Sequence, residues 1–303
     1  MRKLLVTGGT GLLGRNWPLA VGHRFDVVLC VHEREVRTTG AATQRLDLTS
    51  IDGIRRAVDD AQPAAVIHAA GMTNVEACER DPALARHVNV ELSRNVAVAC
   101  ARAGVALAHI STDHLFSGPL KYVTEAEPVA PMNVYARTKA DAEDEVLQAH
   151  PAALVIRTNF FGWGPPYRPS FSDVIVAALR ARTPLTLFGD VFFTPILMEN
   201  LVGAVHELVE RRAAGIFHVV GDDRISKDEF GRRIAAILRL DDSVIASGRI
   251  EDRCDLVQRP QEMSLSNEKL RHALGRNIGG LDEQLQRLFL QEEQGFAREV
   301  LNS

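Results

Sequence analysis

Glycines placed directly behind a strand set the tightest constraint on this chain. Lys3, Leu4, Leu5, Val6 and Thr7 read as a short buried strand, and Gly8-Gly9-Thr10-Gly11-Leu12-Leu13-Gly14 follows at once and opens a stretch of helical periodicity. Gly8, Gly11 and Gly14 have G-x-x-G-x-x-G spacing, while Gly9, Gly11 and Gly14 also satisfy G-x-G-x-x-G. A turn free of side chains lets the backbone fold tightly and approach a pyrophosphate. The unpaired N–H groups at the start of the helix then face its negative charge. Adrift in a loop the pattern would say little, but between a strand and a helix it predicts a dinucleotide cradle formed by Gly8, Thr10, Gly11, Leu12, Leu13 and Gly14.

The rest of the first half repeats the alternation. Residues 26–31, 64–69, 105–111 and 152–157 are short apolar runs, and 12–20, 50–60, 82–103 and 134–150 carry the helical period between them. Such alternation implies right-handed crossovers and an α/β fold with a doubly wound parallel sheet. After residue 158 the texture changes, with Gly162-Trp163-Gly164-Pro165-Pro166 and Pro169 forming a loop rich in turn formers. The expected division is a dinucleotide-binding domain over 1–158, with parts of 185–220 packing back on it, and a smaller lobe over 159–303.

Composition excludes several classes. Of the 303 residues 46% are hydrophobic and 24% charged, which is ordinary globular usage and argues against disorder. A net charge of −4 gives no footing for nucleic acid, and Arg211-Arg212 and Arg232-Arg233 read as solvated helix faces. The first apolar run is broken at once by glycines, unlike a signal peptide, and no stretch approaches the ~20 apolar residues of a membrane span. Cys30, Cys78, Cys100 and Cys254 lie far apart without Cys-x-x-Cys spacing. That predicts reduced thiols, no metal site and a cytoplasmic protein.

Chemistry is suggested at four further places. The second strand should end near His32, where an acid would accept the ribose hydroxyls of NAD. The segment reads His32-Glu33-Arg34, with Arg37 close behind, so NADP(H) is favoured over NAD(H) through Arg34 and a 2′-phosphate. A one-residue slip would restore an acid at Glu33. Asp47-Leu48 could meet the adenine, or Asp47 could cap a helix. Tyr135 and Lys139 stand four apart, hence on one helix face, where an ammonium would favour phenolate and tune the phenol for proton transfer. Ser111-Thr112-Asp113 falls at the carboxyl end of a strand, the edge that carries ligands in open α/β sheets.

In chain order, the glycine turn, Ser111-Thr112-Asp113 and the Tyr135–Lys139 pair resemble the extended short-chain dehydrogenase/reductases. More narrowly, Ser111-Thr112-Asp113-His114-Leu115-Phe116-Ser117-Gly118 and the run from Glu125 to Lys139 are similar to the dTDP-4-dehydrorhamnose reductase group. So are His68 to Glu76, Asn89-Val90, Gly215 to Val219, Arg259-Pro260 and Leu265 to Leu270. The resemblance implies a Rossmann-type sheet with a C-terminal substrate-binding lobe, and an enzyme that reduces a keto group on a nucleotide-linked sugar with NADPH. It makes Thr112, Tyr135 and Lys139 the catalytic triad, with Tyr135 and Lys139 also touching cofactor. Ala69, Ala70 and Gly71 would lie against the riboses and Asn89 near the nicotinamide. Thr73, Val75, Asp113, His114 and Phe160 would face the sugar, with the turn at Thr194-Pro195 closing the pocket. Two positions depart from the group: His114 stands where tyrosine is usual, and Phe160 where tryptophan is frequent. His114 is open to three readings: a pocket donor, a second acid or a packed ring.

Two other functions fit parts of the chain. Val6 to Arg15 and the stretch from His32 to Arg37 also resemble the regulatory β subunit of methionine adenosyltransferase, which binds NADP and a partner enzyme without needing turnover. A nucleotide-sugar epimerase is disfavoured by the missing acid after the second strand. The expected partner is a nucleotide sugar, with no nucleic acid and no membrane, and a homodimer stays open as the assembly.

Overall fold

The computed structural model describes residues 1–301. Seven strands form one parallel sheet: β1 Arg2–Thr7, β2 Phe25–Val31, β3 Ala41–Arg45, β4 Ala65–His68, β5 Ala106–Ile110, β6 Leu154–Arg157 and β7 Gly215–His218. Their spatial order is β7-β6-β5-β4-β1-β2-β3. The chain winds outward from β1 to β3 on one side, then returns to β4 beside β1 and winds the other way. That switch point opens a crevice at the carboxyl ends of β1 and β4.

Helices α1 Leu12–Val21, α2 Ile51–Ala61, α5 Leu92–Ala103, α6 Val134–Ala149 and α8 Met198–Glu210 cover the two faces, α3 Val75–Arg80 and α4 Pro82–Arg86 pack on α6, and α7 Phe171–Ala181 and α9 Lys227–Leu238 pack together in a second core. Alternate residues of β1 point to opposite faces. Leu4 and Val6 join Leu13, Trp17, Leu201 and Val205 beneath α1 and α8, with Leu270, Leu274 and Ile278 completing that core. Leu5 joins Ile54, Val58, Val96, Cys100 and Val146 beneath α2, α5 and α6. Burial on both faces explains why the central strands are apolar throughout rather than alternating.

The strands read from sequence at 3–7, 26–31, 64–69, 105–111 and 152–157 match β1, β2, β4, β5 and β6 with ragged ends. The edge strands β3 and β7 escape that reading. Ala-Ala-Thr-Gln-Arg of β3 is largely exposed and carries no apolar run to betray it. The single helix expected over 82–103 is α4, a π turn at His87–Glu91, and α5.

A second core lies beyond residue 160. Phe161, Ile175, Phe193, Phe230, Ile234, Leu285 and Leu288 cluster there, with the Phe230 ring edge-on to Phe161 and Phe193 and stacked on Phe171. Its strands are short: Phe160–Phe161 pairs with Ile196–Leu197, Phe192–Phe193 with Ile225–Ser226, and Leu185–Phe188 with Ile245–Gly248. Among the described residues no helix is long and apolar enough to cross a membrane, no cluster could hold a metal ion, and the cysteines are free.

Candidate active site

A cleft of about 850 Å³ opens at the carboxyl ends of β1, β4 and β5, near the upper end of the ~300–1,000 Å³ typical of small-molecule sites. Its first wall is the glycine turn. Gly8 has φ +71°, and a Cβ there would lie 2.7 Å from the Ala70 nitrogen and 2.8 Å from the Ala69 carbonyl oxygen. A Cβ on Gly14 would collide with the Gly8 carbonyl oxygen. Only glycine allows β1, α1 and the loop after β4 to meet this closely. Gly11 precedes α1 and no side chain caps that helix start, so its N–H groups remain to face an anion. Gly8, Thr10, Gly11, Leu12, Leu13 and Gly14 all line the cleft. This side-chain-free cradle fits a dinucleotide pyrophosphate.

The adenosine end is lined by His32, Asp47 and Leu48. β2 stops at Val31, so His32 is the first residue past it, and Glu33 points to solvent. The Asp47 carboxylate accepts from the Thr49 hydroxyl (2.7 Å) and amide (2.9 Å), which hold it below the usual carboxylate range. Ser50, not Asp47, caps α2. Arg34 does not line the cleft. Its guanidinium lies 4.2 Å from the centre of the Tyr167 ring, and the Tyr167 hydroxyl donates to the Thr10 carbonyl at 3.1 Å.

Ala69, Ala70 and Gly71 form the floor. Beneath it the Thr7 hydroxyl bonds the His68 ring at 2.7 Å, and the other ring nitrogen bonds Ser93 at 3.0 Å. Asn89 is not on the cleft surface. Its oxygen accepts from the Met72 amide at 2.7 Å and its nitrogen donates to the Met72 carbonyl and the Thr138 hydroxyl at 3.0 Å. With every polar atom of its side chain spent, it braces the loop after β4 against α6.

Thr112, Tyr135 and Lys139 line one stretch of wall. Asn133 caps α6 by accepting from the Ala136 amide at 2.8 Å, which starts the helix at Val134, one residue before Tyr135. Lys139 Nζ donates to the Ile110 carbonyl at 2.7 Å, tying α6 to the end of β5. Burial pulls the Lys139 ammonium down to about 8. The Tyr135 phenol moves opposite to the sequence expectation. Burial pushes it up to about 12, against a hydrogen bond with Thr112. At neutral pH the phenol keeps its proton, the form needed to donate one. His68 and His109 stack at 5.3 Å behind this wall, and burial followed by the Lys139 charge keeps both neutral.

The opposite end brings together Thr73, Val75, Asp113, His114 and Phe160. His114 lies edge-on to Tyr135 with ring centres 5.7 Å apart, and burial lowers it to about 3, so it is a neutral ring and no second acid at neutral pH. Thr194 and Pro195 do not reach the cleft. The Thr194 hydroxyl accepts from the Leu265 amide at 3.2 Å, and the Pro195 carbonyl packs against Gly221. Arg168, Phe171 and Arg259 line the cleft instead, along with Asn159. Arg168 donates to the Thr73 hydroxyl at 2.7 Å and Arg259 pairs with Glu76. Arg259 belongs to the Arg259-Pro260 pair that resembles the group, but nothing in the local sequence marks Arg168 or Asn159.

Fold and site together define an oxidoreductase of the extended short-chain dehydrogenase/reductase type. The chain belongs to the family described as RmlD substrate binding domain, which matches residues 1–293. It is similar to a probable low-salt glycan biosynthesis reductase of Haloferax volcanii, 27% identical over 92% of this chain and 95% of the relative. It is also similar to methionine adenosyltransferase 2 subunit beta of Pongo abelii, at 28% over 89% and 81%. Among solved structures it superposes on dTDP-4-dehydrorhamnose reductase from Bacillus anthracis in complex with NADP, with a TM-score of 0.85, 24% identity and coverage of 96% and 100%.

Proposed function

We propose that this protein is a cytoplasmic, NADPH-dependent reductase of a keto group on a nucleotide-linked sugar, of the dTDP-4-dehydrorhamnose reductase kind. The observation that carries this reading is the placement of Thr112, Tyr135 and Lys139 on one wall of a cleft whose other wall is the glycine cradle. NADPH, when bound, supplies the hydride. Gly8, Thr10, Gly11, Leu12, Leu13 and Gly14 would hold its pyrophosphate, His32, Asp47 and Leu48 its adenosine, and Ala69, Ala70 and Gly71 its riboses. The Thr112 hydroxyl donates to the substrate carbonyl and orients it. Tyr135 donates its proton to the oxygen that becomes the alcohol. Lys139 would hold a ribose hydroxyl and offer the positive charge that steadies the tyrosine as it loses that proton. Thr73, Val75, Asp113, His114 and Phe160 would face the sugar.

The test is loss of the reduced nicotinamide's absorbance against a panel of nucleotide-linked 4-keto sugars, with dTDP-4-dehydrorhamnose included. His114 and Phe160 reshape the sugar pocket relative to the group, so a different member of the panel should be preferred. Reduction of none of them, with NADPH still bound, would transfer the case to the non-catalytic reading. The methionine adenosyltransferase subunit among the relatives supports that alternative.

A further inference from the structure

Behind the Tyr135–Lys139 pair lies a buried cluster of charge that the proposed chemistry does not use. Glu143 stands on α6 four residues beyond Lys139, and Arg157 is the last residue of β6; their side chains are 3% and 4% exposed. At that spacing on a helix a lysine and a glutamate ordinarily pair. Among the described residues Lys139 makes no ion pair, because Arg157 takes the carboxylate in a fork. Its Nη2 donates to Oε2 at 2.7 Å, and its Nε lies 3.0 and 3.1 Å from the two oxygens. The Phe116 ring packs on the guanidinium, 5.3 Å from ring centre to charge. A buried ion pair adds little stability over apolar residues of the same volume. What the fork does supply is a fixed direction for the carboxylate.

That direction is towards the end of β5. Glu143 Oε1 accepts from the Ser111 hydroxyl at 2.5 Å. The Lys139 ammonium donates to the Ile110 carbonyl at 2.7 Å, and the Ser111 amide donates to the Ile156 carbonyl of β6 at 2.7 Å. Ile110 and Ser111 are thus held from α6 at a carbonyl and a hydroxyl, and from β6 at an amide. Ser111 lines the cleft, yet the one proton of its hydroxyl is spent on Glu143. Thr112, the next residue, is left as the donor at this strand end.

We propose that the Ser111–Glu143 bond is a positioning device: it locks the end of β5 to α6 one turn past Lys139, and so sets the distance of the Thr112 hydroxyl from Tyr135 and Lys139. This rests on the reading of those three residues as the catalytic triad. Groups that act on one carbonyl must keep their spacing closely, since a shift of about 1 Å can cost about a hundredfold in rate.

Ser111→Ala removes one hydroxyl and leaves the Glu143–Arg157 fork intact. Glu143→Gln is the companion variant, and the alanine variant decides alone if the glutamine variant fails to fold. The chain has three tyrosines, Tyr122, Tyr135 and Tyr167. Carbon NMR of the full-length protein labelled at tyrosine Cζ, without substrate, therefore follows the Tyr135 phenol, assigned with Tyr135→Phe. Its signal should shift in Ser111→Ala, as in Thr112→Ala, while those of Tyr122 and Tyr167 hold still. A Tyr135 signal that stays put, or moves only along with the other two, overturns the proposal. This readout needs no sugar, so it stands apart from failure to find a reduced substrate. With the panel sugar that turns over best, Ser111→Ala and Glu143→Gln should each lower kcat about tenfold, with KM and NADPH affinity within about twofold of wild type. Neither should add to the loss in Thr112→Ala. A rise in KM with kcat kept, or a loss that adds in full to that of Thr112→Ala, also overturns the proposal, because Ser111 would then act on the sugar itself.

Discussion

The two ends of the cleft are built by different means. The cofactor end is the rim of a sheet: β1, β2 and β4 run parallel in fixed register, and the residues past their ends arrive where the ladder delivers them. The sugar end is assembled from loops and two-residue strands held by packed rings, with Phe230 at the centre of Phe161, Phe171 and Phe193. A backbone ladder fixes position almost regardless of side chain, whereas a cluster of rings fixes it only through shape. The first end should therefore tolerate substitution around it and keep its ligand, while the second can be retuned by single changes.

The largest effect is expected where the two ends meet. Tyr135→Phe should lower turnover by about 10²–10⁴-fold, the usual cost of losing a general acid, with NADPH affinity by fluorescence titration almost unchanged. Intact turnover would remove Tyr135 from the chemistry. Next come paired disruptions of the two scaffolds. Phe230→Ala should cost about 3–5 kcal/mol in chemical denaturation and raise KM for the sugar while sparing NADPH binding. Arg157→Met, which strands the buried Glu143 now gripped at 2.7 Å, should cost a similar ~3–5 kcal/mol but disturb both ligands, since Glu143 also accepts from Ser111 at 2.5 Å beside Thr112. If NADPH affinity collapses in Phe230→Ala, the contrast between the ends is false.

Smaller effects sharpen the picture. Arg34 lies over the Tyr167 ring, and Arg34→Ala should narrow the NADPH-over-NADH preference by about 1–3 kcal/mol in direct titrations. Equal affinities in the wild type would discard the NADPH reading. Smallest of all, Arg180→Ala breaks an exposed pair with Glu292 and should cost less than about 1 kcal/mol of stability.

What was legible follows the same division. Gly8 to Gly14, Thr112 and the Tyr135–Lys139 pair could be read because spacing along a strand, turn or helix encodes them. The loop after β4 was located by the strand before it. Asn89 was misplaced because a helix position says which face it lies on, not whether its amide is spent on a neighbouring loop. Thr194 and Pro195 were misplaced because a turn in the second core has no period from which to infer its direction. Arg168, Phe171 and Asn159 reach the cleft only through tertiary packing, and edge strand β3 is too polar to announce itself.

The core face beneath α1 contains Leu4 and Val6 from the first strand, and it is completed only by Leu270, Leu274 and Ile278. The helix that carries Leu270 and Leu274 packs on α8 and on edge strand β7, so during synthesis that end of the face must wait for nearly the whole chain to emerge before its last cover arrives. Folding of this face is thus governed by contacts of very long sequence separation, which slow closure and leave apolar surface open to association in the meantime. Variants weakened at Leu270 or Leu274 should betray themselves first as poor soluble yield, before any defect at the cleft is measurable.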